Sequence, residues 1–192
     1  MIIKMTGTEF NRIMRICTPA LSSDSIRQCL QYIEIQCDGQ DQGCATACDG
    51  FTLVQTRFSC KGEKGSFLIR PFKTMRNDCE ITITKNGDEV SVTDGVETVT
   101  RKEPASGYIA HTGICRDAQS HKKRATIAFD SRLLAKALKS HTKARETVFL
   151  EIYGPTEPIV IHSSQACGIV LPMRVNGEHN DPQFWKMEDE KK

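Results

Sequence analysis

The chain has 192 residues, a hydrophobic fraction of 39%, and 26 Lys and Arg against 24 Asp and Glu. That length supports a real core in one or two domains. No apolar run approaches the ~20 residues a bilayer needs, and the opening MIIKMTGTEF is too short and polar for a secretory signal, so the expectation is a cytoplasmic, soluble protein.

In chain order, residues 2–4 read as a strand leading into a helix over 8–17, with Thr6 or Thr8 available to cap it. The helix sets Phe10, Ile13, Met14 and Cys17 on one side and Arg12 and Arg15 on the other. Residues 18–25 form a loop, and residues 31–37 alternate as a half-buried strand. Residues 43–48 and 51–58 are two strands joined at Asp49-Gly50, a strong hairpin signal because Gly accepts positive φ.

A second unit of the same plan follows. A strand over 66–70 leads to a short helix over 71–77, which offers Lys73 and Arg76 with poor amphipathicity. Strands at 80–85, 89–93 and 96–101 come next, turning at Asn86-Gly87 and Asp94-Gly95. The pattern then stops: residues 102–125 hold Pro104, Gly107, Gly113 and the basic run His121, Lys122, Lys123 and Arg124. A third unit has a strand over 126–129, a helix over 131–143, and strands at 147–153, 159–162 and 168–175. Its helix turns Leu133, Leu134, Ala137 and Leu138 inward and gathers Arg132, Lys136, Lys139 and Lys143 within an arc of about 60°. Residues 176–192 are polar and charged apart from Phe184-Trp185.

The three helices take eight of the 26 basic residues and only one acid, Glu9, of the 24. A solvated helix face mixes Lys with Glu to gain side-chain pairs, so this segregation points to a polyanionic partner. Nine cysteines, an odd number with no CxxC, read as reduced, small, buried hydrophobes. A zinc site from Cys37, Cys44, Cys48 and Cys60 lacks the usual paired spacing. None of the five histidines stands beside an acidic partner or a nucleophile at a recognisable spacing, and Asp49 before Gly50 is explained by its turn. No enzyme, metal or cofactor is expected.

Two motifs carry a resemblance to a known family. Ala47-Cys48-Asp49-Gly50-Phe51-Thr52-Leu53 is similar to the ATDGxRL hairpin of the bacterial DNA polymerase III beta subunit, the replicative sliding clamp, and Leu171-Pro172-Met173-Arg174-Val175 resembles the MPMRL that closes its chains. Residues 66–73 and 129–134 resemble intervening family segments in the same order. The resemblance implies an α+β clamp fold built from repeated strand-helix-strand units, with helices on one face of antiparallel sheets. Two units make one domain, and twelve units close a ring around DNA.

The expected organisation is a complete domain at 1–110 resembling the family's middle domain, a connector at 111–125, a half domain at 126–175, and a tail at 176–192. The expected function is a processivity factor that encircles or tracks duplex DNA without sequence specificity and binds short peptide motifs of polymerases and clamp loaders. Its alternative is a peptide-binding adaptor or competitor that does not form a ring or retain DNA. The DNA-facing residues are then Arg12, Arg15, Lys73, Arg76, Arg132, Lys136, Lys139 and Lys143. The resemblance implies a peptide pocket of Arg27, Leu30, Cys48, Gly50, Phe51, Thr52, Leu53, Leu171, Pro172, Met173 and Arg174. It also implies a homo-oligomer; three units per chain would close a tetrameric ring if half domains pair between chains. Phe51 and Thr52 depart from the family's polar or basic pair, and Gln183-Phe184-Trp185 is faintly similar to a clamp-binding peptide.

Overall fold

The computed structural model describes residues 1–23, 26–73, 75–111, 113, 115, 126–141, 147–164 and 166–173. They fall into two units, Met1–Cys115 and Arg116–Pro182. In the first unit, β1 (Ile2–Thr6) and α1 (Gly7–Cys17) precede a meander of β2 (Ile33–Cys37), β3 (Gln42–Cys48) and β4 (Leu53–Ser59). A two-residue β5 (Lys61–Gly62) follows, then β6 (Gly65–Ile69) and a second meander of β7 (Glu80–Asn86), β8 (Glu89–Thr93) and β9 (Thr98–Lys102). Each repeat lends its first strand to the other. β1 lies beside β7 in the sheet β5-β1-β7-β8-β9, and β6 lies beside β2 in the sheet β4-β3-β2-β6, all antiparallel.

The period-two pattern dictates the core. Ile3, Ile33, Ile35, Ile81, Ile83 and Val92 are completely buried. The stripe Phe10, Ile13, Met14 and Cys17 of α1 closes over the same core, as its spacing predicts. Thr6 caps the helix, its Oγ1 accepting from Glu9 N at 3.2 Å. Gly7 is required by close approach: a Cβ there would stand 1.8 Å from the Arg76 carbonyl oxygen.

The turns are made by local chemistry. Asp49 Oδ1 accepts from Phe51 N and Thr52 N, and Asp94 Oδ1 accepts from Val96 N and Glu97 N at the equivalent turn of the second repeat. Both carboxyl groups are held below their ordinary pKa, chiefly by these backbone donors. Val96 and Glu97 thus belong to the turn, and β9 starts two residues later than the sequence suggests.

The expected helix over 71–77 does not form; its described residues are coil and turn. Seven residues make a marginal helix, and here tertiary contacts satisfy the backbone instead. Asn11 Nδ2 donates to Met75 O at 2.7 Å while its Oδ1 accepts from Met75 N at 2.9 Å. Phe72 packs edge-on against Phe10 with ring centroids 6.0 Å apart and lies beneath the Arg101 guanidinium.

In the second unit, α2 (Ser131–His141) packs on a meander of β10 (Phe149–Ile152), β11 (Ile159–His162) and β12 (Cys167–Val170). Leu134, Ala137 and Leu138 close over buried Ile159, Ile161 and Val170. Leu133, expected inward, is 55% exposed, because the three-stranded sheet is too narrow to cover that flank of the helix. Residues 126–129, expected to form a strand, join no ladder; Met173 N donates to Ala128 O at 2.8 Å. β12 ends at Val170, short of the expected span.

Asn11 replaces the hydrogen bonds of a missing helix. Substituting Asn11→Ala should cost about 1–3 kcal/mol, the penalty for unpaired part-buried backbone groups. Urea unfolding would read that loss, and amide exchange at Met75 would show the local opening.

Candidate nucleic-acid and peptide-binding surfaces

The predicted basic residues divide by environment. Arg15, Lys73 and Arg76 are exposed. Arg12, expected on the outward side of α1, is instead half-buried and turned onto β4. Its guanidinium donates to Glu9 at 2.7 Å and Thr56 Oγ1 at 2.8 Å, and also to the Arg57 carbonyl. Those partners make Arg12 a tie between helix and sheet and leave it fewer donors for a polyanion than an unengaged arginine has.

On α2, Arg132, Lys136 and Lys139 line one shallow cavity of about 570 Å³ with Ala135. Asp130 holds Arg132 at the helix start, accepting from its backbone N at 2.8 Å and from its Nη2 at 2.9 Å. Arg132 is nonetheless 88% exposed. Spacing on one apolar-backed helix brings these three together, whereas Lys143 lies outside the described residues.

Some of the first-unit residues expected in the peptide pocket lie close together. Leu30, Cys48 and Leu53 form one small apolar cluster with Cys29, Tyr108 and Ile109. Gly50, at φ +95°, sits against this cluster; a Cβ there would meet Arg27 Nη1 at 3.3 Å and Leu30 Cδ1 at 3.9 Å. Leu30 is 1% exposed, whereas Phe51 at the turn tip is 98% exposed. In the second unit, Leu171 lines a groove of about 490 Å³ with Leu133, Ala137 and Ile169. Met173 is exposed and Pro172 half-buried, while Arg174 lies outside the described residues. Sequence reasoning missed Tyr108, Ile109, Leu133 and Ile169; an apolar Tyr108-Ile109 pair inside a Gly- and Ser-rich stretch was the available signal.

Tyr108 to His111 cover the polar side of β2 and β3. Tyr108 OH donates to Thr46 O at 3.2 Å, and the Tyr108 and His111 rings meet edge-on at 6.0 Å. Beneath them His111 Nδ1 lies 3.5 Å from Glu34 Oε2, an oxygen with no hydrogen-bond partner. Burial raises the Glu34 pKa to about 7 and lowers that of His111, so burial disfavours the charged form of both partners. Spacing along the chain hid this contact and a second one, His162 Nε2 to Glu151 Oε1 at 3.2 Å.

Burial pushes the Cys17 and Cys44 thiols up to about 12, so they stay protonated. Cys37 Sγ and Cys60 Sγ touch at 3.3 Å as free thiols, while Cys48 belongs to the Leu30 cluster. Among the described residues, no group of three or more His, Cys, Asp or Glu could hold a metal ion. No helix among them is long and apolar enough to cross a membrane.

Two exchanged antiparallel repeats, with a helix packed on their sheets, define an α+β clamp architecture. The chain has the fold of the bacterial DNA polymerase III beta subunit. It superposes on the sliding clamp of Bacillus subtilis with TM-score 0.72 at 14% identity, over 93% of this chain and 50% of that one. The Caulobacter crescentus beta sliding clamp gives 0.69 at 14% identity, over 89% and 50%. The Thermotoga maritima beta subunit gives 0.55 at 13% identity, over 91% and 65%. The chain therefore spans about half to two thirds of the length of these clamps. No protein-family profile matches the sequence, and no curated protein is significantly similar to it.

Glu34 makes stability pH-dependent. Its folded pKa, about 7, lies above the ordinary 4.5. Its protonated form therefore contributes stability that is complete below 4.5 and is lost as pH rises through about 7, by about 3 kcal/mol at most. Glu34→Gln should remove that slope: denaturation midpoints of wild type and variant should converge at acid pH and separate at alkaline pH, with the variant more stable.

Proposed function

We propose that the chain is a sliding-clamp-like processivity factor that encircles or tracks duplex DNA without reading sequence and is not an enzyme. The observation carrying this reading is the cationic cavity of Arg132, Lys136 and Lys139 on α2, in a fold shared with DNA clamps. Duplex DNA carries about one charge per 1.7 Å, so lysines and arginines bind it without base contacts, and topology rather than affinity retains a ring. Arg15, Lys73, Arg76 and Lys143 complete the proposed DNA-facing set. The complete domain takes the role of the family's middle domain and the third repeat that of half its last domain. Four copies supply enough repeats for one ring.

The proposed peptide-contacting residues are Arg27, Gly50, Phe51, Thr52 and Leu53 in the first unit and, taken by themselves, Leu171, Pro172, Met173 and Arg174 in the second. Leu30 and Cys48 form the floor of the first-unit set. Short replication-protein motifs with an apolar anchor fit such a surface, and Met173 supplies adaptability. One observation favours the second reading, a peptide-binding adaptor without DNA retention. Arg12 is occupied by Glu9 and Thr56, which thins the cationic surface of the first unit.

Retention on circular DNA, compared with the same DNA linearised, tests topology. The processivity reading expects slow loss from circles and fast loss from linear molecules. The triple variant Arg132→Glu, Lys136→Glu, Lys139→Glu should abolish retention and flatten the salt dependence of binding by about 3 in log-log slope. Equal loss from both DNA forms, with peptide capture intact, establishes the adaptor instead.

A further inference from the structure

The complete domain shows how its repeats treat their edges. β2 and β7 each open a meander, and each takes the leading strand of the other repeat on its outer edge. Ile35 faces Phe67 and Ile33 faces Ile69 in one pairing; Ile83 faces Ile3 and Ile81 faces Met5 in the other. On its far side β1 meets the tail of its own repeat, β5, and Glu63 N donates to Ile2 O at 3.1 Å.

The third repeat has the same parts: a leading segment 126–130, then α2, the meander, and a tail at 171–173. Its leading segment already meets its own tail through the bond from Met173 N to Ala128 O, as β1 meets β5 in the first repeat. Among the described residues no strand lies on the outer edge of β10, and residues 126–130 join no ladder. The side chains agree. Leu150 and Ile152 sit opposite core-facing Ile161 and Ile159, yet are 47% and 56% exposed. Their counterparts in the complete domain include Ile35 and Ile83, both fully buried.

We infer that β10 receives residues 126–129 of a second copy of this chain, and donates its own in return, so that two half domains make one. Setting core-facing Leu150 in the place of core-facing Ile83, opposite Ile3, or of Ile35, opposite Phe67, gives the same register from either template. Ile127 of the second copy lies opposite Leu150, and Phe129 of the second copy lies opposite Val148. A second copy is the occupant because the acceptor edge and the donor segment belong to the same repeat, and one two-fold axis satisfies both at once. A foreign strand would fill only one. β10 also lacks the protection of a true edge strand, carrying no Lys or Pro and one charge, Glu151. The inference rests on the half-domain reading proposed above but not on DNA binding.

Sedimentation of the full chain at micromolar concentration without DNA should show an assembly with an even number of chains. Ile152→Lys, which sets a charge at the shared edge, should halve that number with the circular-dichroism spectrum unchanged. In a mixture of isotopically light and heavy chains, a photoreactive residue in place of Glu151 should link to residues 126–130 of the opposite label. A monomeric wild type, an assembly indifferent to Ile152→Lys, or links formed only within one chain overturns the pairing. An assembly that halves with Ile152→Lys yet shows no preference for circular DNA upholds the pairing and removes the processivity reading alone. Circle retention with an assembly indifferent to Ile152→Lys does the reverse.

Discussion

The exchange of leading strands between repeats is the constraint on which the rest of the first unit depends. Because β1 belongs by sequence to one repeat and by hydrogen bonding to the sheet of the other, neither meander finishes its sheet alone. The exchange fixes side-chain register as well as backbone pairing: Ile3 and Met5 are buried because β7 offers Ile83 and Ile81 opposite them. It also holds α1 in place, since Thr6 ends β1 and caps the helix in the same step. The contacts are non-local, so each repeat gains most of its stability only when its neighbour has folded.

The same logic separates the basic residues by role. A cation count treats Arg12 and Arg132 alike, yet one lies within hydrogen-bond reach of a carboxylate, a hydroxyl and a backbone carbonyl, while the other is tethered to Asp130 at a helix start and 88% exposed. A guanidinium that fills its donors inside the protein has few left for phosphate. Helix-by-helix charge is therefore an upper bound on what a polyanion meets, and the second unit holds the better-presented group.

What was legible in the sequence was local. The Asp49-Gly50 and Asp94-Gly95 turns follow from a carboxylate two residues from the amides it accepts and a Gly free to take positive φ. The α1 stripe follows from one helical period. Residues 71–77 were misread because the decisive partner, Asn11, lies 64 residues away. β5 has two residues and no period to detect, and its pairing with β1 is visible only in space. Glu34 and His111 escaped notice for the same reason as Asn11. In the candidate site, the resemblance selected Leu30 and Gly50, which do meet, but could not say that Leu30 would be closed over.

That closure bears on the proposed peptide role. Leu30 is buried among Cys29, Cys48, Leu53, Tyr108 and Ile109 with Gly50 beside it, so it offers an incoming apolar anchor almost no surface. The turn is rigid at its base, where Asp49 holds two amides, and bare at its tip, where Phe51 is almost wholly exposed. An apolar ring in water is the costly element of that arrangement, and burying it against a partner recovers about 25 cal/mol per Å². In the peptide role proposed above, Phe51 is thus the apolar group a partner would bury, with the closed Leu30 cluster beneath the hairpin.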